Sequence, residues 1–209
     1  MSTDLFDTLT STLLADVGAP ALHSRIKPLT PGLRLLGRAL PVSVPPGDNL
    51  AIHAALSLAQ PGDVLVVDGG GYLERALMGG IMTTQAQAIG LAGVVIDGAM
   101  RDGQELVALG LPVFAAGLHP AGPFKKGDGT VHAPIVCGGV AVHSGDWVLG
   151  DDDGLVVVPP AQRDALIAAA RDKLAREQAR LAAIARGEFT PGWLPQALAE
   201  AKVRVLPRP

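Results

Sequence analysis

The sequence predicts an α/β domain in which a sheet is layered against helices, not a doubly wound one. Three features lead there. Through residue 116, short apolar runs of strand type alternate with helical patterns. From residue 131 onward, strand-like runs follow one another with only turns between them. The 209 residues, 48% hydrophobic with 26 glycines, can bury a sizeable core and make many tight connections. The whole chain, 1–209, reads as one domain with a long helix over about 160–187 and a tail over 188–209.

The elements follow in order. Ser2 or Thr3 can cap a first helical turn, and Thr10 or Ser11 a helix over 13–17 that Gly18 and Pro20 end. Residues 42–44 alternate as a strand does before Pro45-Pro46-Gly47 turns the chain. Asp48 or Asn49 can then cap a helix reaching about Gln60, with Asn49 and His53 one turn apart on the same face. A lone histidine on an otherwise apolar helix serves equally well as a hydrogen-bonded structural residue.

The centre of the chain is the apolar run 64–67, a glycine turn at Gly69-Gly70-Gly71, a helix opening at Gly79-Gly80, a second apolar run over 94–96, and a turn carrying Arg101 and Asp102. A helix starting at Gly80 leaves the N–H groups of Ile81 and Met82 without intrahelical partners, and the macrodipole adds partial positive charge. That end can hold a carboxylate. Arg101 brings a planar fork of donors and Asp102 a hard oxygen ligand suited to Mg²⁺ or Mn²⁺, although the two residues taken alone read more simply as an ordinary surface pair in a turn after a strand. The Asp68-Gly-Gly-Gly run is no dinucleotide fingerprint, because Glu74 stands where a third glycine is needed.

After Leu109 comes a strand over 112–116 and a loop over 117–129 rich in Gly, Pro and Lys, where Lys125-Lys126 reads as a solvated pair. Strands are expected over 133–136, 140–143, 147–149 and 155–158. Asp151-Asp152-Asp153-Gly154 lacks the ligand spacing of a calcium loop and reads as a polar turn between two of them. Pro159-Pro160 starts the long helix, and Gly187 ends it. Leu166, Ala170, Leu174, Leu181 and Ile184 form its apolar stripe. Glu177 falls inside that stripe, where a carboxylate is costly unless paired. The tail carries Trp193 and four prolines, and is expected to wrap a neighbour or the sheet.

Composition excludes several functions. With 3% aromatic residues and a net charge of −3, the chain has few stacking platforms and no phosphate-seeking field, so no nucleic-acid partner is expected. Cys137 is the only cysteine, which rules out an intrachain disulfide and a thiolate zinc cluster within one chain. An acidic N-terminal segment and the absence of about 18 uninterrupted apolar residues point to a cytoplasmic protein with no membrane association.

The segments LTSTLLADVG, DNLAIHAAL, PGDVLVVDGGG, RALMGGIMTTQA, GLAGVVIDGAMRD, PVFAAG and GDWVLGDDDGLVVVP carry a resemblance over most of the chain. They resemble the class II, metal-dependent pyruvate aldolases typified by 4-hydroxy-4-methyl-2-oxoglutarate aldolase, a family that also holds RraA-type regulators of ribonuclease E. Active members carry either an Asp twenty residues before an Arg-Asp pair, or a Gly there with an acid three positions after that second Asp. This chain has Gly80, twenty intervening residues, then Arg101, Asp102 and Glu105, the second form.

The resemblance implies a swivelling β/β/α domain assembled as a homotrimer or homohexamer with active sites between subunits. It implies Asp102 as the direct ligand of a divalent metal, Mg²⁺ or Mn²⁺, and Glu105 as a ligand through water. Glu177 of a neighbouring subunit would also reach the metal's water shell. Asn49 and His53 would border the substrate pocket. The expected activity is retro-aldol cleavage of 4-hydroxy-2-oxo acids to pyruvate, with oxaloacetate decarboxylation.

The chemistry agrees with that expectation. Breaking the bond next to a 2-oxo acid leaves a pyruvate enolate, whose charge needs a lysine Schiff base or a metal. Lys27, Lys125, Lys126, Lys173 and Lys202 all stand in loops or polar surroundings, which favours the metal. Arg101 would stabilise the enolate, and the N–H groups of Gly80, Ile81 and Met82 would face the carboxylate. With no obvious side-chain base in the motif, metal-bound water is the expected base. The alternative is a regulator that binds ribonuclease E and has no aldolase role.

Overall fold

The computed structural model describes residues 6–204, so capping by Ser2 or Thr3 and the last residues of the tail lie outside the described residues. The chain divides into two compact units, 1–170 and 171–209.

The first unit opens with α1 (Ser11–Asp16), which Thr10 caps by accepting the Leu13 N–H at 3.2 Å. There follow β1 (Lys27–Pro28), β2 (Leu35–Ser43), α2 (Leu50–Leu58), β3 (Asp63–Met78), α3 (Gly80–Ile89), β4 (Gly93–Met100), α4 (Gly103–Leu109) and β5 (Val113–Leu118). Then come strands alone: β6 (Thr130–Val131), β7 (Ile135–Cys137), β8 (Val140–Val142), β9 (Trp147–Asp151) and β10 (Gly154–Val158). The change from alternation to strands falls where the sequence places it.

Eight strands form one sheet in the order β1-β5-β4-β3-β2-β9-β10, with β6 also pairing β2, while β7 and β8 make a separate hairpin. The four middle strands, β2 to β5, run parallel and are connected through α2, α3 and α4. β9 and β10 close the sequence as an antiparallel pair, with Asp152-Asp153 at the turn as expected.

The period of two along each strand sorts the core into two layers. Leu65 and Val67 face the helices, packing with Ile52 and Ala55 of α2, Ala86 of α3 and Leu106 of α4. Val64 and Val66 face the other way, against Ile135, Cys137 and Val142 of the hairpin and Val148, Leu155 and Val157 of β9 and β10. The sheet thus curls until β9 and β10, with the hairpin, face its own middle strands on one side while the helices cover the other: the β/β/α layering that the resemblance implies.

The expected glycine turn needs correction. The three glycines after Asp68 do not reverse the chain. Gly70 and Gly71 do take positive φ, 66° and 69°, but the strand passes through them as a bulge. β3 resumes pairing with β4 at Tyr72 and, after two further register shifts, continues to Met78. The apolar segment Ala76-Leu77-Met78 is wholly buried, and its burial carries the strand past the point where local turn chemistry would stop it.

The long helix α5 (Arg163–Ala185) starts close to its expected position and crosses into the second unit, which also contains α6 (Leu194–Glu200), a helix not expected from the tail. Of the predicted stripe only Leu166 and Ala170 are buried, with Ile167, whereas Leu181 is 65% exposed and Ile184 39%. Glu177 forms an ion pair with Lys173 at 3.2 Å. No helix among the described residues is long and apolar enough to cross a membrane.

Candidate functional site

The ends of β3 and β4 lie side by side, with Met78 paired to Met100. The chain leaves β3 through Gly79 into α3 and leaves β4 through Arg101 and Asp102 into α4, so both exits share one edge of the sheet. The Arg101 N–H donates to the Met78 carbonyl at 3.0 Å and fixes their relation.

Asp102 is the N-cap of α4 and takes left-handed backbone angles, φ 63° and ψ 39°. Aspartate tolerates that region better than most residues. This conformation turns its carboxylate away from its own helix toward α3. There Oδ2 accepts the Gly80 N–H at 2.9 Å and stands 3.4 Å from Nε of Arg101. A side chain at Gly79 would collide with the Asp102 carboxylate and with Arg101, and one at Gly80 with the Glu105 carboxylate. Close approach therefore holds Gly79 to glycine, whereas at Gly80 a side chain meets only the mobile end of Glu105.

With Gly80 bonded to Asp102 and Thr83 to the Gly79 carbonyl, the N–H groups of Ile81 and Met82 remain without partners inside the helix. α2 supplies the facing wall. Asn49 is the N-cap residue but makes no side-chain cap bond; its Nδ2 instead donates to the Leu77 carbonyl at 2.9 Å and to Met82 Sδ at 3.3 Å. Its Oδ1 is buried without a hydrogen-bond partner, and so is Nε2 of His53. Two orphaned polar atoms on one face mark a place where a ligand or water belongs.

The third wall was not expected. Pro123 and Lys125, from the Gly-rich loop, join Asn49, His53, Ile81, Met82 and Arg101 around a cavity of about 130 Å³. Lys125 is exposed, as a solvated residue should be, yet its ammonium adds to the charge at the cavity. Asp48 explains the loop's position. Its buried carboxylate accepts three backbone N–H groups: Leu50 at 2.9 Å on Oδ1, and Lys126 and Gly127 at 2.8 Å each on Oδ2. Asp48, one residue before the N-cap, is thus a latch between the start of α2 and the loop 123–129, which no local pattern in either segment announces.

Around this site two side chains, His53 and Asp48, have displaced pKa values. Burial lowers that of His53, and the charge of Lys125 lowers it further, so the imidazole is neutral near pH 7. For Asp48, burial pushes the carboxyl up, but the N–H groups of Lys126, Leu50 and Gly127 outweigh it and hold it below the ordinary carboxylate range.

The donor set suits a hard cation. Asp102 keeps Oδ1 free of protein hydrogen bonds, and Glu105 brings a second carboxylate against the α-carbon of Gly80. No group of three or more His, Cys, Asp or Glu that could hold a metal occurs among the described residues. A carboxylate with one oxygen free and a second carboxylate nearby would suit an ion such as Mg²⁺ that retains most of its waters. Glu177 lies in the second unit, where Lys173 is its partner.

A family model described as RraA-like, Aldolase/RraA, matches residues 2–157. A protein of Halalkalibacterium halodurans named "Putative 4-hydroxy-4-methyl-2-oxoglutarate aldolase" is 40% identical over 181 residues, 86% of each chain. Among solved structures, the RNA-processing inhibitor RraA from Thermus thermophilis is similar at TM-score 0.64 and 34% identity, over 76% of this chain and 92% of that one. Streptomyces coelicolor RraAS2, described as an unusual member of the RNase ES inhibitor RraA protein family, is similar at TM-score 0.77 and 28% identity, over 85% of this chain and 96% of that one. The layered fold, the glycine-lined junction of β3, β4 and α3, and these likenesses together place the chain in the RraA-like family.

Proposed function

We propose that the protein is a divalent-metal-dependent pyruvate aldolase acting on 4-hydroxy-2-oxo acids of the 4-hydroxy-4-methyl-2-oxoglutarate or 4-carboxy-4-hydroxy-2-oxoadipate type, with oxaloacetate decarboxylase activity. The observation that carries this reading is the pair of buried, unpartnered atoms, Asn49 Oδ1 and His53 Nε2, on two residues that line one cavity with Arg101, Lys125 and the start of α3. Leaving buried polar groups unpaired costs roughly 1–3 kcal/mol each. A polar ligand would offset that cost, whereas a protein partner would have to reach into a narrow cleft.

The carboxylate of the 2-oxo acid fits the N–H groups of Ile81 and Met82, where the helix dipole and Lys125 both favour negative charge. Cleavage breaks the C3–C4 bond. The C4 hydroxyl loses its proton and becomes the carbonyl of one product, and the electron pair left on C3 becomes the enolate of pyruvate, which then takes up a proton. Arg101, with its guanidinium beside the cavity, stabilises the enolate charge as it develops. Asp102 would hold the metal directly and Glu105 through water; when bound, the ion stabilises the enolate oxygen as a Lewis acid. Glu177 from a neighbouring subunit of a homo-oligomer would add a further carboxylate to the water shell.

Pyruvate release from a panel of 4-hydroxy-2-oxo acids and oxaloacetate, with and without chelator, tests the reading. Release that chelator abolishes and Mg²⁺ or Mn²⁺ restores is the expected result. No release from any member, together with binding to ribonuclease E, would instead assign the protein to the regulators that its RraA-type relatives exemplify.

A further inference from the structure

Arg101 lines two cavities. The first is the one described above; the second, of about 300 Å³, is bounded by Arg101, Asp102, Gly103, Leu118, His119 and Pro120. A retro-aldol substrate also has two parts, which separate at the C3–C4 bond. If the 2-oxo acid half occupies the first cavity, the guanidinium of Arg101 stands at the division, and the second cavity remains for the half that leaves.

His119, in the lining of the second cavity, is held in place at two points. The His119 backbone N–H is tied to the Met100 carbonyl at 2.8 Å, at the end of β4, and its ring Nδ1 faces the Ala121 N–H at 3.1 Å. Since that N–H is a donor, Nδ1 must be an acceptor, and the proton of the neutral imidazole lies on Nε2. Beside it Leu118 is an apolar side chain left 55% exposed. A donor next to an apolar wall suits a carboxylate attached to a small hydrocarbon group.

We propose that this second cavity is the distal substrate subsite. His119 donates its Nε2–H to the carboxylate carried on C4 of the 4-hydroxy-2-oxo acid, and Leu118 packs against the remaining substituent on C4. His119 is thus a specificity-determining residue, selecting substrates with an anionic distal half. The inference rests on the aldolase reading.

The test compares wild-type protein with His119→Ala and His119→Gln, using 4-hydroxy-4-methyl-2-oxoglutarate, oxaloacetate and inhibition by pyruvate. Oxaloacetate carries nothing beyond the carboxylate it loses, and pyruvate has no distal half. His119→Ala is expected to raise KM for 4-hydroxy-4-methyl-2-oxoglutarate about tenfold, the loss of one hydrogen bond to a charged group. KM for oxaloacetate and inhibition by pyruvate should stay within about twofold of wild type, and His119→Gln, which keeps an N–H donor, should recover part of the loss. An equal effect on all three compounds would make His119 structural only, and no effect would remove it from the site; either result overturns the subsite. Wild-type protein that releases no pyruvate from either substrate would overturn the aldolase reading itself, and the subsite with it.

Discussion

The carboxylate of Glu105 occupies the space into which a side chain on Gly80 would project. Two positions that are distant in sequence therefore compete for one volume beside Asp102. An acid can enter that volume from the start of α3 or from the first turn of α4, and with both present Glu105 must move aside.

This competition sets the first expectation. Glu105→Ala should weaken Mg²⁺-dependent turnover and Mg²⁺ affinity, and adding Gly80→Asp should partly restore both, because the second carboxylate enters the vacated space. Gly80→Asp with Glu105 retained should be worse than wild type, since the two side chains collide. Metal titration of the four proteins decides it. Wild-type metal affinity in Glu105→Ala would leave Glu105 as no more than a favourable charge at a helix start.

Asp102→Asn keeps an oxygen that can accept the Gly80 N–H, so the fold should survive while direct metal binding is lost. Turnover should fall by at least a hundredfold, on the order expected when a group acting on the transition state is removed. Arg101→Lys keeps charge but not the planar fork, and should lower kcat about tenfold with a smaller change in KM. Steady-state kinetics at saturating Mg²⁺ separates the two; full activity of Asp102→Asn would remove Asp102 from the site.

Asp48 should matter to both stability and substrate affinity. Its carboxyl pKa is depressed on folding, so its contribution is present above the unfolded value near 4 and lost as pH falls through the folded value. Asp48→Asn should cost about 2 kcal/mol at pH 7, consistent with weakened charge-assisted bonds to Lys126, Leu50 and Gly127. The gap from wild type should narrow on acidification. Hydrogen exchange over 123–129 should rise, and KM should rise more than kcat falls. Unchanged exchange in the loop would show that the latch is redundant.

His53 and Lys125 are electrostatically linked, with burial the larger cause of the imidazole's lowered pKa. Lys125→Met should move that pKa upward by the smaller, charge-dependent part, leaving it below the ordinary histidine value of about 6.5. A proton-binding site that is weaker when folded makes stability fall as pH drops below that value, and Lys125→Met should reduce this fall. Imidazole NMR titration reads the effect directly. An identical titration in both proteins would mean that the ammonium is too well solvated to be felt.

Glu177 can be tested across subunits. Glu177→Gln and Asp102→Asn are each expected to be inactive or nearly so, and mixing them under conditions that exchange subunits should regenerate some sites holding both native residues. Verified exchange without recovered activity would separate Glu177 from the site.

The sequence by itself determined the types of most elements, though not α6, and it determined the layered class and the residues at the junction of β3, β4 and α3. These are local properties: apolar period, capping chemistry and glycine placement act within a few residues of where they are read. It also isolated Asn49, His53, Ile81, Met82 and Arg101, which the tertiary structure brings around one cavity. The course of β3 through Gly70 and Gly71 was decided elsewhere, because burial of Leu77 and Met78 against residues far along the chain outweighs the local tendency to turn. The same holds for Lys125. A lysine in a glycine-rich loop looks solvated until the carboxylate of Asp48, 77 positions earlier, draws the neighbouring N–H groups onto the start of α2. Side-chain type is written in the sequence, whereas a side chain's neighbours depend on long-range hydrogen bonds that only the folded chain can close.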